Sequence, residues 1–218
     1  MKIEWPERIY SVSFPRSGHH LLARLLRAYF RSSMKYCGYY GSDGCCGQVP
    51  CANPATTYSK NHDGRLRLSQ SLGRYVIQYR SPIPTLISDY ELALKIGPAK
   101  PRSREEFYDH LSRRADHWRR WMHRWVFSFS SPLAVKLPYE TLTGEPHTAL
   151  SDVIGLACAQ AQPKSVGAAI TAVGIKMPRD VREFRYWDEE RMREAELLLR
   201  PEIDRAALPY VTKEIAKL

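Results

Sequence analysis

The segment from Arg8 to Tyr29 constrains the fold more than any other part of this 218-residue chain, because it joins a β-rich run to a helical one through a short turn. Residues 8–14 carry β-branched and aromatic side chains and predict a strand. Residues 15–18 predict a turn, and an apolar stripe at helical spacing follows, made of Leu21, Leu22, Leu25, Leu26 and Tyr29. A strand, a tight turn and a helix open a βαβ unit.

Further β-like and helical segments alternate along the chain. The β-like stretches fall at 56–60, 74–80 and 132–138, and the helical patterns fall at 82–96, 103–126, 146–160 and 188–199. This alternation predicts an α/β fold with a central, mostly parallel sheet, in which ligands bind at the carboxyl ends of the strands. No internal repeat is present, and we expect a single domain over residues 1–218.

The charge balance predicts an anionic partner. Lys and Arg number 33 against 23 Asp and Glu, which gives a formal net charge of +10. Such a balance suits nucleic acid, a membrane surface, or a ligand that bears phosphate or sulfate. No run of 18 apolar residues is present, which argues against a membrane-spanning helix. Residues 1–6 lack the apolar stretch of a signal peptide, and we expect a cytoplasmic protein.

The turn at 15–18 has the properties of an anion site. The start of a helix offers unpaired N–H groups, Gly18 permits close backbone approach, and Arg16 adds a charged planar fork. The turn is not a Walker A loop, which needs two glycines and a lysine followed by Ser or Thr. A nucleoside triphosphatase is therefore disfavoured. An ordinary strand-to-helix turn with a surface arginine remains the alternative.

Several motifs resemble, in the same order, those of sulfotransferases that use 3′-phosphoadenosine 5′-phosphosulfate (PAPS). Ser13–Gly18 is similar to the family's 5′-phosphosulfate loop, and Thr57–His62 is similar to its Lys-Thr-His strand end. Tyr79–Pro82 with Ser88 resembles the 3′-phosphate motif and keeps the family's spacing of eight residues from arginine to serine. Val135–Leu142 resembles the Tyr-Glu-Asp-Leu stretch that follows the fourth strand.

The resemblance implies a three-layer, P-loop-NTPase-like sulfotransferase fold with a central sheet flanked by helices. It also implies that PAPS is the sulfuryl donor, that adenosine 3′,5′-bisphosphate (PAP) leaves, and that no metal is required. The implied cofactor-binding residues are Pro15, Arg16, Ser17, Gly18, His19, His20, Arg80, Ser88, Arg179 and Arg182. Arg179 and Arg182 lie in a basic segment that is similar, without its glycines, to the family's C-terminal motif; a solvated basic loop is the alternative.

Two histidines are candidates for the catalytic base. His62 corresponds to the base of the resembled strand end, and Lys60, two residues earlier on an extended chain, shares its face. We expect His62 to take the acceptor's proton, while Lys60 and Arg16 stabilise the leaving-group oxygen. His20, at the foot of the first helix, is the competing base. A surface-loop histidine at position 62 is the alternative reading.

A tyrosine- and cysteine-rich segment at 34–57 follows the first helix and predicts an acceptor-side lid. Four of the five cysteines lie in this segment within one stretch of fifteen residues, at Cys37, Cys45, Cys46 and Cys51. Four thiolates suffice for zinc, but the spacing lacks a C-x2-C pair. We therefore expect a disulfide within the segment or free thiols, and no metal.

The resemblance therefore implies an enzyme that moves a sulfuryl group from PAPS to a hydroxyl of a glycan, a glycolipid or a small molecule. A P-loop-type nucleotide or small-molecule kinase is the first alternative, although the Walker lysine is missing. A basic nucleic-acid-binding module is the second, although no helix-turn-helix, finger or RNP-like pattern is present, and we expect no nucleic-acid partner. The identity of the acceptor and the oligomeric state are not predicted.

Overall fold

The chain forms two compact units in a computed structural model, unit 1 from Met1–Tyr79 and Phe129–Met177, and unit 2 from Arg80–Ser128 and Pro178–Leu218. The structure describes residues 8–39, 46–49, 51–66, 68, 73–96, 103–157, 162–176 and 178–212. The single domain expected from the sequence stays a prediction.

Unit 1 contains a parallel sheet. Its described strands are β1 (Ile9–Ser13), β2 (Tyr36–Cys37), β3 (Tyr58–Asn61), β4 (Arg74–Tyr79) and β5 (Ala134–Pro138). They lie in the order β2-β3-β1-β4-β5, and every adjacent pair is parallel. The predicted α/β class with a parallel sheet is confirmed. Because β1 is the central strand, the turn that follows it lies between the ends of β3 and β4.

Among the described residues of unit 1, four helices follow the strands. They are α1 (His19–Phe30), α4 (Tyr139–Gly144), α5 (Pro146–Ala157) and α6 (Pro163–Val173). Leu22, Leu25 and Leu26 of α1 are fully buried in one core with sheet residues and with the apolar faces of α5 and α6, and Leu21 packs against this core partly buried. Burying each leucine contributes about 1.5–3 kcal/mol, so this face fixes α1 against the sheet.

Unit 2 is helical within its described residues. Its helices are α2 (Pro82–Ile96), α3 (Arg104–Met122), α7 (Glu189–Leu198) and α8 (Arg200–Arg205). A capping box between Ser103 and Glu106 starts α3, which ends in a π-helical turn at His123–Phe127. Trp118, Trp121 and Trp125 are fully buried, as large aromatics at helical spacing usually are. Across both units, none of the described helices combines the length and the apolarity needed to cross a bilayer.

Candidate active site

The turn between β1 and α1 takes an unusual backbone path. Arg16 has φ 67° and Gly18 has φ 82°, so two residues within three positions are left-handed. A left-handed arginine is strained, and such strain concentrates at functional sites. Gly18 caps α1, whose first turn contains no acidic side chain. The unpaired N–H groups of that turn are thus available to an anion.

The ring of Tyr139 is a second reason why residue 18 must be glycine. A Cβ on Gly18 would lie 2.3 Å from Cδ2 of Tyr139, which is the first residue of α4. Any side chain here would therefore collide with the ring, in addition to meeting an unfavourable φ. The stretch that resembles Tyr-Glu-Asp-Leu thus contributes a ring that packs directly on the turn.

Sheet register brings the candidate chemical groups to one edge. Ser11 of β1 is opposite Lys60 of β3, and Ser13 is opposite Gln78 of β4. His62 follows the last residue of β3. Because all three strands are parallel, their carboxyl ends lie at the same edge as the turn.

His62 is oriented by β1. Its Nδ1 lies 2.7 Å from the carbonyl oxygen of Ser13 and 3.1 Å from the Ser13 hydroxyl. A carbonyl only accepts hydrogen bonds, so Nδ1 donates and Nε2 is the nitrogen that accepts protons. This tautomer suits a general base.

Lys60 is a buried cation at the same edge. The residue is only 5% exposed. Burial, and then the charge of Arg16, lower the pKa of Lys60 to about 8. A bound anion that lies close to both cations therefore stabilises the ammonium form of Lys60.

His19 faces the interior of the fold. Its Nδ1 lies 3.2 Å from the Ser11 hydroxyl, and its Nε2 lies 3.3 Å from the Tyr36 hydroxyl. Burial, and then the charges of Lys60, His62 and His20, hold the pKa of His19 well below its usual value. A neutral ring with both nitrogens in contact with protein groups anchors the start of α1.

His20 lies at the rim of the turn with an exposed side chain. Partial desolvation, and then the charges of Lys60, Arg16 and Arg27, lower its pKa. The charged groups that shift the pKa values of His19, His20 and Lys60 are all cations or histidines. This edge of the sheet is therefore electropositive.

Two buried polar side chains next to the turn have no hydrogen-bond partner among the described residues. One is Ser17, whose hydroxyl is unpaired, and the other is Gln78, whose amide nitrogen and oxygen are both unpaired. The amide nitrogen of Gln78 would lie 3.4 Å from a Cβ on Gly18. Sequence reasoning missed Gln78, although a polar residue within the apolar run of β4 was an available signal.

Unit 2 contains the residues expected at the 3′-phosphate. Arg80 directly follows β4, and its carbonyl oxygen accepts a hydrogen bond of 3.2 Å from Nε1 of Trp118. Arg179 pairs at 2.8 Å with Glu91, three positions after Ser88 on α2. The structure therefore brings Arg179 to the helix that carries Ser88.

Arg182 is held elsewhere in unit 2. It donates a 3.1 Å hydrogen bond to the carbonyl oxygen of Val211 and lies 3.8 Å from a carboxylate oxygen of Asp180. These contacts lie within the basic segment and with the chain near its end. The role of Arg182 at a phosphate stays a prediction.

The fold is that of sulfotransferases. The crystal structure of the mouse sulfotransferase SULT7A1 complexed with PAP aligns with a TM-score of 0.68 at 12% identity, over 90% of this chain and 84% of that one. This likeness confirms the predicted sulfotransferase fold. No family model and no curated protein matches the sequence.

Two further sulfotransferase domains align less well. The sulfotransferase domain from the curacin biosynthetic pathway has a TM-score of 0.43 at 11% identity, over 90% of this chain and 98% of that one. The sulfotransferase domain from the Synechococcus PCC 7002 olefin synthase has a TM-score of 0.46 at 10% identity, over 89% and 95%.

Proposed function

We propose that this protein is a PAPS-dependent sulfotransferase that acts on a hydroxyl of a glycan, a glycolipid or a small molecule. One observation carries the proposal. At the carboxyl edge of the sheet, the cations Arg16 and Lys60 flank the open start of α1, and His62 lies at the same edge in the tautomer of a base. The sulfotransferase fold supports the same conclusion.

The residues of the turn fit the 5′ end of PAPS. The unpaired hydroxyl of Ser17 and the unpaired N–H groups at the start of α1 are donors that an anionic ligand satisfies. We assign the 5′-phosphosulfate to Pro15–His20, with His19 contributing its backbone, because both its ring nitrogens contact protein groups. We assign the 3′-phosphate to Arg80 and Ser88, with Arg179 and Arg182 as further cations.

The chemistry needs one base and a stabilised leaving group. PAPS supplies the sulfuryl group and carries the leaving oxygen. Nε2 of His62 removes the proton of the acceptor hydroxyl, a role that contributes about 100- to 10,000-fold in rate. Lys60 and Arg16 stabilise the negative charge that develops on the bridging oxygen, and removing one such donor typically costs about 100- to 1,000-fold. The proposal requires no metal at this site.

Calorimetric titration with PAP tests the cofactor. We expect wild-type protein to bind PAP, to bind ATP with magnesium more weakly, and to lose about tenfold or more in PAP affinity on Arg80→Ala. The matched control is Arg119→Ala, which removes only a half-exposed ion pair with Asp116 in the same unit. Absence of PAP binding, or preference for ATP with magnesium, would refute the proposal and favour a kinase.

Transfer itself is tested with sulfur-labelled PAPS and a panel of glycans, glycolipids and phenols. We expect label to move to at least one hydroxyl acceptor, at a rate that His62→Ala lowers by about 100- to 10,000-fold. Label that is released only as free sulfate, with every acceptor, would contradict the assignment as a transferase.

A further inference from the structure

Three cysteine sulfurs converge in unit 1, and none of them takes part in the chemistry proposed above. The Sγ atoms of Cys37, Cys46 and Cys51 all lie within 4.8 Å of one another, and those of Cys46 and Cys51 are 3.4 Å apart. All three residues are reduced thiols in the structure. Cys45, which the sequence places in the same segment, lies outside the described residues.

The fold overrides the unfavourable sequence spacing. Cys37 belongs to the edge strand β2, which pairs with β3. The chain returns to the start of β3 through residues 51–57, where Thr57 and Tyr58 donate backbone hydrogen bonds of 2.9 and 3.1 Å to the carbonyl oxygen of Lys35. This return brings Cys51 next to Cys37 although no C-x2-C pair exists.

The position of Cys51 is fixed by hydrogen bonds from Arg8. The guanidinium of Arg8 donates to the carbonyl oxygens of Cys51, Asn53 and Thr56, the last two at 2.6 and 3.0 Å. Cys37 and Cys51 are each only 3% exposed. Two of the three sulfurs are therefore held in place inside the fold, and Cys46 closes the group from the more exposed side.

One backbone N–H group donates to the sulfurs. The N–H of Ala52 donates to Sγ of Cys46 at 3.3 Å, whereas Sγ of Cys51 donates to the Thr56 hydroxyl oxygen at 3.3 Å. Hydrogen bonds to sulfur are the outer contacts that orient thiolates around a metal ion.

We propose that Cys37, Cys46 and Cys51 bind one zinc ion as three thiolates. Zinc–sulfur bonds of about 2.3 Å in a tetrahedral ion place the sulfurs about 3.8 Å apart. The observed separations, from 3.4 Å to at most 4.8 Å, bracket that spacing. Each thiol loses its proton on binding, and water takes the fourth position.

The zinc site stabilises the edge of the sheet next to the candidate active site. Cys37 follows Tyr36, whose hydroxyl lies 3.3 Å from Nε2 of His19 at the start of α1. An ion that joins β2 to the segment before β3 fixes Tyr36 against that histidine. This inference does not depend on the proposed sulfotransferase activity.

Cobalt substitution tests the site in the full-length protein, kept reduced and freed of metal. We expect equimolar Co²⁺ to give a thiolate-to-cobalt charge-transfer band and the visible bands of a tetrahedral ion, and Zn²⁺ to displace it. Cys37→Ser and Cys51→Ser should lower zinc affinity by at least about 100-fold, the upper end of the losses seen when outer contacts are removed. Cys158→Ser, at the fifth cysteine, is the matched control and should bind as wild type does.

The half-exposed Cys46 provides a variant with little effect on packing. Cys46→Ser should keep the circular dichroism of the wild type and lose the charge-transfer band. The proposal is overturned if reduced wild type gives no thiolate-to-cobalt band, or if folded Cys46→Ser binds zinc as tightly as wild type. A thiol titration in denaturant that finds Cys46 and Cys51 joined as a disulfide in freshly isolated protein would also overturn it.

Discussion

The Nδ1 atom of His62 lies 2.7 Å from the backbone carbonyl oxygen of Ser13. That oxygen cannot donate, so the ring proton resides on Nδ1 and the lone pair on Nε2. The end of β1 therefore sets both the position and the tautomer of the candidate base. A backbone partner cannot be lost by side-chain substitution, which makes this orientation robust.

Removal of His62 separates the two candidate bases. We expect His62→Ala to lower the transfer rate by about 100- to 10,000-fold, the effect of a lost general base, with PAP affinity nearly unchanged. His20→Ala, at the exposed rim, should weaken PAP binding. It should lower the transfer rate by less than about 100-fold. Rate measurements at saturating PAPS decide between them, and the reverse ranking would make His20 the base.

Activity should depend on the protonation of Lys60. Because the pKa of Lys60 is lowered to about 8, the ammonium that stabilises an anion is lost as pH rises through that value. PAP affinity should then fall with a slope that approaches about tenfold per pH unit, one proton being linked to binding. Lys60→Arg should hold its affinity to higher pH, since arginine stays charged. Lys164→Met, an exposed lysine of α6, should keep the wild-type profile.

Ser17 and Ser11 should behave in opposite ways. The Ser17 hydroxyl lacks a partner among the described residues, so Ser17→Ala should leave the free energy of unfolding unchanged or higher. The same change should weaken PAP binding by about 1 kcal/mol, the net value of one hydrogen bond. Ser11→Ala removes the partner of His19 and should destabilise the ligand-free protein instead. Urea unfolding and PAP titration of both variants test this contrast, and equal destabilisation would refute it.

Gly18→Ala should destabilise unit 1. The left-handed φ of 82° and the collision with Tyr139 act together, and strain of this kind costs about 1–3 kcal/mol. Gly167→Ala in α6, where a Cβ meets nothing within 4 Å, should be neutral or stabilising. Adding Tyr139→Ala to Gly18→Ala should recover only the part due to the collision. Full recovery in urea unfolding would mean that backbone strain contributes nothing.

Stability should fall in mild acid because of His19. Its pKa in the folded protein is well below the ordinary value of about 6.5, so the unfolded chain binds a proton that the native state refuses. The stability linked to His19 is therefore retained above a pH of about 6.5, the ordinary pKa. Below that pH the free energy of unfolding decreases, by up to about 1.4 kcal/mol per pH unit for one proton. The groups that face the ring and oppose its charge are Lys60, His62 and His20.

Substitution identifies the titrating group. His19→Gln should flatten the dependence of unfolding on pH by about one proton, whereas His147→Gln, exposed on α5, should leave it unchanged. A slope that persists in His19→Gln would transfer the effect to His20, whose pKa is also lowered.

The strand, turn and helix between Ile9 and Phe30 could be predicted because each signal is local in sequence. The observed α1 buries the predicted leucine stripe except for Leu21, which is partly buried, and α2 has the predicted limits. α6 was missed because Gly167 and several β-branched residues weaken its helical signal. β2 was missed because two residues carry no periodicity.

The site could be predicted only where it follows local motifs. Lys60 and His62 reach the turn through the pairing of β3 with β1, a register that no local pattern specifies. The packing of Tyr139 on Gly18 joins residues from opposite sides of the unit 2 insertion. The cysteine triad was judged by sequence spacing, whereas the parallel pairing of β2 with β3 decides the distances between its sulfurs.

Unit 1 is made of two chain segments, and this order has a consequence during synthesis. The leucines of α1 leave the ribosome early, yet the helices α5 and α6 that cover them emerge only after α2 and α3. At about 5–20 residues per second, the gap between β4 and α6 lasts roughly 5–20 s. The nascent chain therefore exposes an apolar helix face and unfilled sheet edges for that period, which makes it a natural client of ribosome-associated chaperones.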